Sequence, residues 1–332
     1  HKPTPKIKEG KIDFAFKEGG EYRRDNDHVF DWSETTAVTT AKVTLEDYDF
    51  DTPKTQLKKV KSIPKGDHSR KSKFEHYLYP GRNRLETHNV DDAFVKVRME
   101  AEAVRHKLSR GAGNVRTLGV GQTFKLKDHP RKANNIDYLV TRAVHHLQIE
   151  TDYEDAETKK TLFPSTLPVD EDNSDTYRIV FDVIPKAEQY RAPQVTPWPG
   201  SMGLQTAVVT GPSGEEIYTD KYGRIKVQFH WDRLGQKDEN TTCWVRCVMP
   251  WTGKNWGMIS IPRIGQEVVI QFEEGDPDRP ICTGMLYNAD TMPPYALDAN
   301  KTQTGIKTRS TKQGTSDNYN EFVFEDKKDE EF

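Results

Sequence analysis

The chain has 332 residues, 34% apolar and 30% charged, enough for two or more domains of ordinary size with a large solvated surface. Its 49 basic and 52 acidic residues leave a net charge of −3, so no global field draws it to DNA or to an anionic membrane. No apolar run approaches the ~20 residues of a membrane-spanning helix, and the opening residues lack the pattern of a secretory signal, which leaves the cytoplasm as the default compartment.

In chain order, residues 1–35 are polar and weakly patterned, with Ile12-Asp13-Phe14-Ala15-Phe16 the one expected strand. Val38 to Glu46 is β-branched and predicts a second. Residues 51–73 carry Lys54, Lys58, Lys59, Lys61, Lys65, Arg70, Lys71 and Lys73, and no aromatic interrupts them until Phe74. A solvated basic face is favoured over a phosphate-binding arm, because nothing there could stack on bases.

A helix is predicted from about Val90 to Leu108, where Val90, Phe94, Val97, Ala101, Val104 and Leu108 repeat at steps of four and three. Asn89 is its candidate N-cap, Asp91 and Asp92 its acidic first turn, Arg105, His106, Lys107 and Arg110 its basic end, and Gly111 its left-handed stop. Strands follow at Thr123–Lys127, at Tyr138–Glu150, and where Tyr177, Ile179, Phe181 and Val183 alternate with polar residues. His145 and His146 are strand neighbours on opposite faces and do not converge on one metal ion. The acidic stretch 151–176 predicts a long exposed loop.

Ala192-Pro193-Gln194-Val195-Thr196-Pro197-Trp198-Pro199-Gly200 is the best domain boundary, since its prolines block helix and central strand alike. Short strands are then expected at Thr206–Thr210, Glu216–Tyr218, Arg224–Trp231, Cys243–Met249, Met258–Ile261, Glu267–Phe272 and Ile281–Tyr287. Close strands of this kind predict a small closed or nearly closed barrel. Within it, Ile225, Val227, Phe229 and Trp231 share one side of a two-residue period, the face expected toward the core. The opposite face of Tyr222–Asp232 mixes basic and aromatic residues, which suits nucleic acid, a catalytic cleft or a protein interface. Past Pro293-Pro294 the pattern loosens to a polar tail with one apolar burst, Phe322-Val323-Phe324, and no core of its own.

The residues supply little chemistry. There is no GxSxG, HExxH, P-loop or GxGxxG motif, so no catalytic, cofactor-binding or metal-binding residue is assigned and no cofactor is expected. Glu273-Glu274-Gly275-Asp276-Pro277-Asp278-Arg279 is favoured as a polar turn over a hydrolase pair. Cys243, Cys247 and Cys282 make no disulfide framework. If one strand held Cys243 and Cys247, they would lie roughly 13 Å apart, beyond the ~7 Å a bridge allows, so structural thiols are expected. Trp231, Trp244, Trp251 and Trp256 are numerous for one small barrel, and core or interface packing is favoured over a base-stacking platform.

Several ordered motifs carry a resemblance. Tyr222-Gly223-Arg224-Ile225-Lys226-Val227-Gln228-Phe229-His230-Trp231-Asp232-Arg233, Cys243-Trp244-Val245-Arg246, Pro262-Arg263-Ile264-Gly265-Gln266-Glu267-Val268, Glu274-Gly275-Asp276-Pro277-Asp278-Arg279-Pro280 and Tyr287-Asn288 resemble the VgrG family, spikes of the bacterial type VI secretion system related to phage tail-spike and baseplate-hub proteins. The likeness is tight over 198–330 and looser upstream, where Tyr48-Asp49-Phe50 and Asn135–Thr141 resemble hub landmarks.

The resemblance implies a mainly β chain. A phage-hub-like β-barrel region with one amphipathic helix would span 1–192, lacking its N-terminal part, and a Pro-rich linker 193–200. An oligonucleotide/oligosaccharide-binding (OB) type barrel would span 201–290, and a connector with the start of a trimeric β-helical needle 291–332. It also implies a non-enzymatic homotrimeric puncturing spike that caps an Hcp-like tube, meets a PAAR-type tip and effectors, and punctures membranes without a transmembrane helix. The spike would wait in the bacterial cytoplasm and leave through the type VI apparatus. Ile225, Val227, Phe229, Trp231, Trp244, Trp251, Trp256, Phe322, Val323 and Phe324 would then be buried in cores or between subunits. The alternative is an OB-type module binding nucleic acid or glycan, against which the balanced charge argues. A cell-wall hydrolase of the kind some phage relatives insert after the barrel does not fit between Asn288 and Thr302.

Overall fold

A computed structural model describes residues 13–16, 27–66, 74–81, 92–147 and 177–332. The chain divides into two compact units, His1–Val195 and Thr196–Phe332. Parts of the expected strand at Ile12–Phe16, of the basic stretch and of the helix start (Asn89, Val90, Asp91) lie outside the described residues, as does the whole acidic stretch 151–176.

In the first unit the elements are β1 (Asp13–Phe16), β2 (His28–Thr36), β3 (Lys42–Asp47), β4 (Leu57–Ser62), β5 (Glu75–Leu78), α1 (Asp92–Ala103), β6 (Lys107–Gly113), β7 (Thr123–Lys127), β8 (Asp137–Leu147) and β9 (Tyr177–Pro185). Six of them close a barrel in the order β1-β2-β6-β9-β8-β7. β1 runs parallel to both neighbours and the other pairs are antiparallel. Alternate residues of β7, β8 and β9 fill it with Phe124, Leu126, Tyr138, Val140, Ile179, Phe181 and Val183. Burial pushes the Tyr138 hydroxyl pKa up to about 12.

A three-stranded sheet, β4-β3-β5, lies beside the barrel and carries α1 on one face. The helix ends earlier than its periodicity predicts, and its buried stripe is Val95, Met99 and Ala103 rather than Phe94, Val97 and Ala101. Phe94 is covered instead by the Arg98 guanidinium, 5.0 Å above its ring, which places it at the rim of the packed face. The chain leaves helical conformation at Lys107, because β6 pairs with β2 on one side and β9 on the other. Two backbone ladders outweigh one more helical turn. Arg110 and Gly111 are therefore strand residues, and His106 turns its Nδ1 to the Ala37 carbonyl at 2.7 Å.

The basic stretch takes part in ordinary surface pairing. Lys59 meets Asp92 at 3.1 Å and Lys65 meets Glu188 at 2.7 Å. His145 bonds the Tyr177 hydroxyl at 2.7 Å.

The second unit holds β10 (Gln205–Thr210), β11 (Lys226–Phe229), β12 (Arg246–Cys247), β13 (Trp251–Gly253), β14 (Trp256–Met258), β15 (Glu267–Phe272), β16 (Pro280–Leu286), β17 (Gln303–Lys307) and β18 (Glu321–Glu325). Five form a sheet in the order β11-β10-β15-β16-β12, and an Ile225–Val245 bridge joins its two ends. Counted along the chain, the first strand of the five pairs with the second and the fourth, and the third lies parallel to the fifth. That is the Greek-key order of an OB-type barrel. Ala207, Val209, Ile225, Val227, Phe229, Val245, Val268, Ile270 and Cys282 form its core.

Several expected strands are shorter or differ. Residues 216–218 are not a strand, and β11 covers four residues because Asp220 shapes the turn before it. The Asp220 carboxylate accepts the backbone N–H groups of Tyr222 and Arg224, each at 3.0 Å, and pairs with the Arg224 guanidinium at 2.7 Å. The run 273–279 forms a turn in which Asp276 is buried and its Oδ1 accepts the Asp278 N–H at 3.1 Å.

Candidate functional site

The strand alternation that places Ile225, Val227 and Phe229 in the barrel core stops where β11 stops, at Phe229. Trp231 falls in the following turn, closed by Asp232 N–H on the Phe229 carbonyl at 3.1 Å, and stands 65% exposed instead of facing inward. Its ring stacks on Phe229 at 5.1 Å, Phe229 stacks in turn on Phe272 at 6.1 Å, and its indole N–H donates to Gln205 Oε1 at 2.9 Å. The indole is thus held in one orientation while its outer face is bare.

Trp251 and Trp256 lie on the β13–β14 hairpin, whose six residues are all exposed. Their rings meet edge to face at 5.3 Å. The hairpin depends on two glycines. A Cβ on Gly253 would sit 2.2 Å from the Trp256 ring, and Gly257, at φ +136°, would place one 2.4 Å from the Trp251 carbonyl oxygen. Two short strands with no layer against either face are marginal in water. Trp244 is half-buried, packed on Tyr218 at 5.0 Å with the Lys226 ammonium 5.0 Å over its ring.

The β17–β18 hairpin repeats the pattern. Phe322 and Phe324 project from the same face of β18, 4.8 Å apart and edge to face, and both are exposed, while Val323 is half-buried. Ile306, paired with Phe322 across the hairpin, is exposed beside them. The loop between the two strands is tied back to the barrel. Arg263 donates to the Arg309 carbonyl at 2.8 Å, Lys312 pairs with Glu215 at 2.7 Å, and the Gln313 N–H donates to Glu216 at 2.7 Å. The backbone N–H of Gln313 holds the Glu216 carboxyl below the usual range, with the Thr311 hydroxyl second.

Of the 31 large hydrophobic side chains exposed among the described residues, 21 belong to the 137-residue second unit. Scattered single apolar residues need no explanation, but ordered indoles and two hairpins bare on their apolar faces are what a protein contact surface requires. Composition and period lead one to expect these aromatics in a core or a contact, and within one chain most of them are exposed. Neither shows whose atoms cover them.

Comparisons with known proteins divide along the same two units. A family profile described as phage tail baseplate hub (GPD) matches residues 4–151, and one described as type VI secretion system/phage-baseplate injector OB domain matches 207–287. The Pseudomonas aeruginosa proteins named type VI secretion system spike protein VgrG1a and VgrG1b are 43% and 42% identical to the chain over 305 and 306 residues. The alignments cover 92% of this chain but 45% and 39% of theirs, so the chain spans less than half the length of these curated relatives. A solved structure, the E. coli c3393 protein, described as a component of the type VI secretion system, aligns over 83% of this chain and 50% of its own at 18% identity and a TM-score of 0.42.

Proposed function

The chain belongs to the VgrG family of type VI secretion spike proteins, and from that membership we propose that it is part of a non-enzymatic, homotrimeric puncturing spike. The observation that carries the proposal is the pair of hairpins β13–β14 and β17–β18, whose aromatic faces one chain leaves bare. Copies related by a closed symmetry would bury the same patches at once.

The proposed organisation keeps four segments: a hub region over 1–192, a Pro-rich linker over 193–200, an OB-type barrel over 201–290, and from 291 a connector leading into a trimeric β-helical needle. The hub would sit on the end of an Hcp-like tube, and the needle would lead to a PAAR-type tip and its effectors. The work is mechanical. Interlocked strands suit it, because force then loads many hydrogen bonds and a shared apolar core together. The spike would assemble in the bacterial cytoplasm and leave through the type VI apparatus.

Sedimentation of the full chain at micromolar concentration tests this reading. A stable trimer is the expected result. A stable monomer that binds single-stranded DNA with steep salt dependence would overturn it in favour of a nucleic-acid-binding module.

A further inference from the structure

The OB-type barrel is closed along its thinnest seam. β12 is two residues long, and Arg246 and Cys247 pair in parallel with Ile281 and Cys282 of β16. One backbone bond, Val248 N–H to the Cys282 carbonyl at 2.8 Å, continues that ladder. Toward β11 the seam is a single bridge, in which Ile225 and Val245 exchange hydrogen bonds of 2.9 and 2.8 Å.

Cys247 and Cys282 are register partners across this seam. Paired strands run about 4.8 Å apart, inside the roughly 4.4–6.8 Å over which disulfides join Cα atoms. Cys282 belongs to the barrel core and Cys247 packs half-buried against the same cluster. A two-residue strand at the end of a sheet can also shift by the fraction of an ångström that bonding geometry asks, since no long ladder resists it. Cys243 lies outside β12 and is exposed.

We propose that Cys247 and Cys282 are a redox modification site, oxidised by a small disulfide such as oxidised glutathione to a cross-link that staples the barrel seam. Cys247, the more accessible sulfur, attacks the small disulfide and expels one thiolate, leaving a mixed disulfide. Cys282 then attacks the Cys247 sulfur and expels the second. Two protein thiols lose two electrons, the small disulfide gains them, and the two released thiolates take up the two protons. The hydrogen bond between them lowers the Cys282 thiol, which suits it to the resolving attack, while that same bond and then burial raise the Cys247 thiol, so its first attack is the slow step and calls for alkaline pH. The inference rests on the barrel geometry alone and stands whether or not the chain acts as a spike.

The test uses the full chain carrying Cys243→Ser, held at mildly alkaline pH with oxidised glutathione or with a reductant. The oxidised sample should lose two hydrogens in mass, yield one peptide pair joining 247 to 282 in a non-reducing digest, and raise the unfolding midpoint of the barrel by roughly 10 °C. Cys247→Val on the same background should show none of these changes. Glutathione retained on Cys247, two thiols still alkylatable after denaturation, or a cross-link that lowers the midpoint would each overturn the proposal.

Discussion

Gly111 lies directly beneath Phe181 in the first barrel. A Cβ at Gly111 would come 2.5 Å from Phe181 Cζ and 3.1 Å from the Trp32 ring. Phe181 is fully buried and packs edge to face on Phe124 at 5.7 Å, so its ring has no room to retreat. Gly111→Ala should therefore destabilise the first unit by about 1–3 kcal/mol through overpacking. Adding Phe181→Leu should recover part of that loss, whereas Phe181→Leu alone destabilises. Denaturant unfolding of the four proteins checks the expected coupling, and strict additivity would mean that the two positions do not compete for space.

The role of Gly111 also shows where the sequence stops being legible. Period two reveals β9 and the inward face of β11, because Ile179, Phe181 and Val183, or Ile225, Val227 and Phe229, alternate without interruption. β2 escapes notice because the register shifts between Val29 and Asp31 and breaks that period. β6 is masked by Gly111 and Gly113, which weaken a strand locally yet are required by Phe181 and by the His28 carbonyl, 2.5 Å from a Cβ at Gly113. Periodicity turns Trp231 inward because it cannot announce that the strand ends two residues earlier, at Phe229. The pairing of Cys247 with Cys282 is invisible for a different reason. It joins two neighbouring strands that lie far apart in sequence, and nothing local in either segment encodes it.

Asp220 holds the turn that launches β11 by accepting two backbone N–H groups and one guanidinium. Asp220→Ala should cost about 2 kcal/mol, because two turn N–H groups and a partly buried arginine lose their acceptor together. Asp220→Asn keeps one oxygen acceptor for the turn and loses the ion pair, so its cost should be smaller. Thermal unfolding ranks the three proteins. An alanine variant as stable as the parent would show that the turn forms without its carboxylate.

The exposed hairpin β13–β14 gives the assembly proposal a residue-level test. Trp251→Ala and Trp256→Ala together remove the aromatic contact area while leaving the barrel core untouched. Central tryptophans in interfaces commonly carry about 2 kcal/mol or more each, so the double variant should raise the dissociation constant of the trimer by about three orders of magnitude. Gly257→Ala should weaken assembly without removing any aromatic, because φ +136° and the Trp251 carbonyl exclude a side chain there. Analytical ultracentrifugation across a dilution series reads both effects. Unchanged dissociation in the double variant would remove this hairpin from the contact surface.

Glu216 makes the docking of the β17–β18 loop dependent on pH. Its carboxylate accepts the Gln313 N–H at 2.7 Å, and the Arg263 guanidinium lies 4.0 Å away. These partners favour the ionised form and depress its pKa, with the Gln313 backbone the largest influence. A depressed carboxyl contributes stability that is fully present above its unfolded value, about 4.3, and is lost as pH falls through the lower folded value. Amide exchange at Gln313 should then be slow from neutral pH down to about 5, and its protection factor should drop as pH falls toward about 3. Glu216→Gln carries no charge at any pH, so it should show weakened protection already at neutral pH and a flat response to acid. If Gln313 in the parent protein stays equally protected across that range while Glu216→Gln behaves identically, the loop is held by Arg263 on the Arg309 carbonyl and by Lys312 on Glu215, without help from this carboxylate.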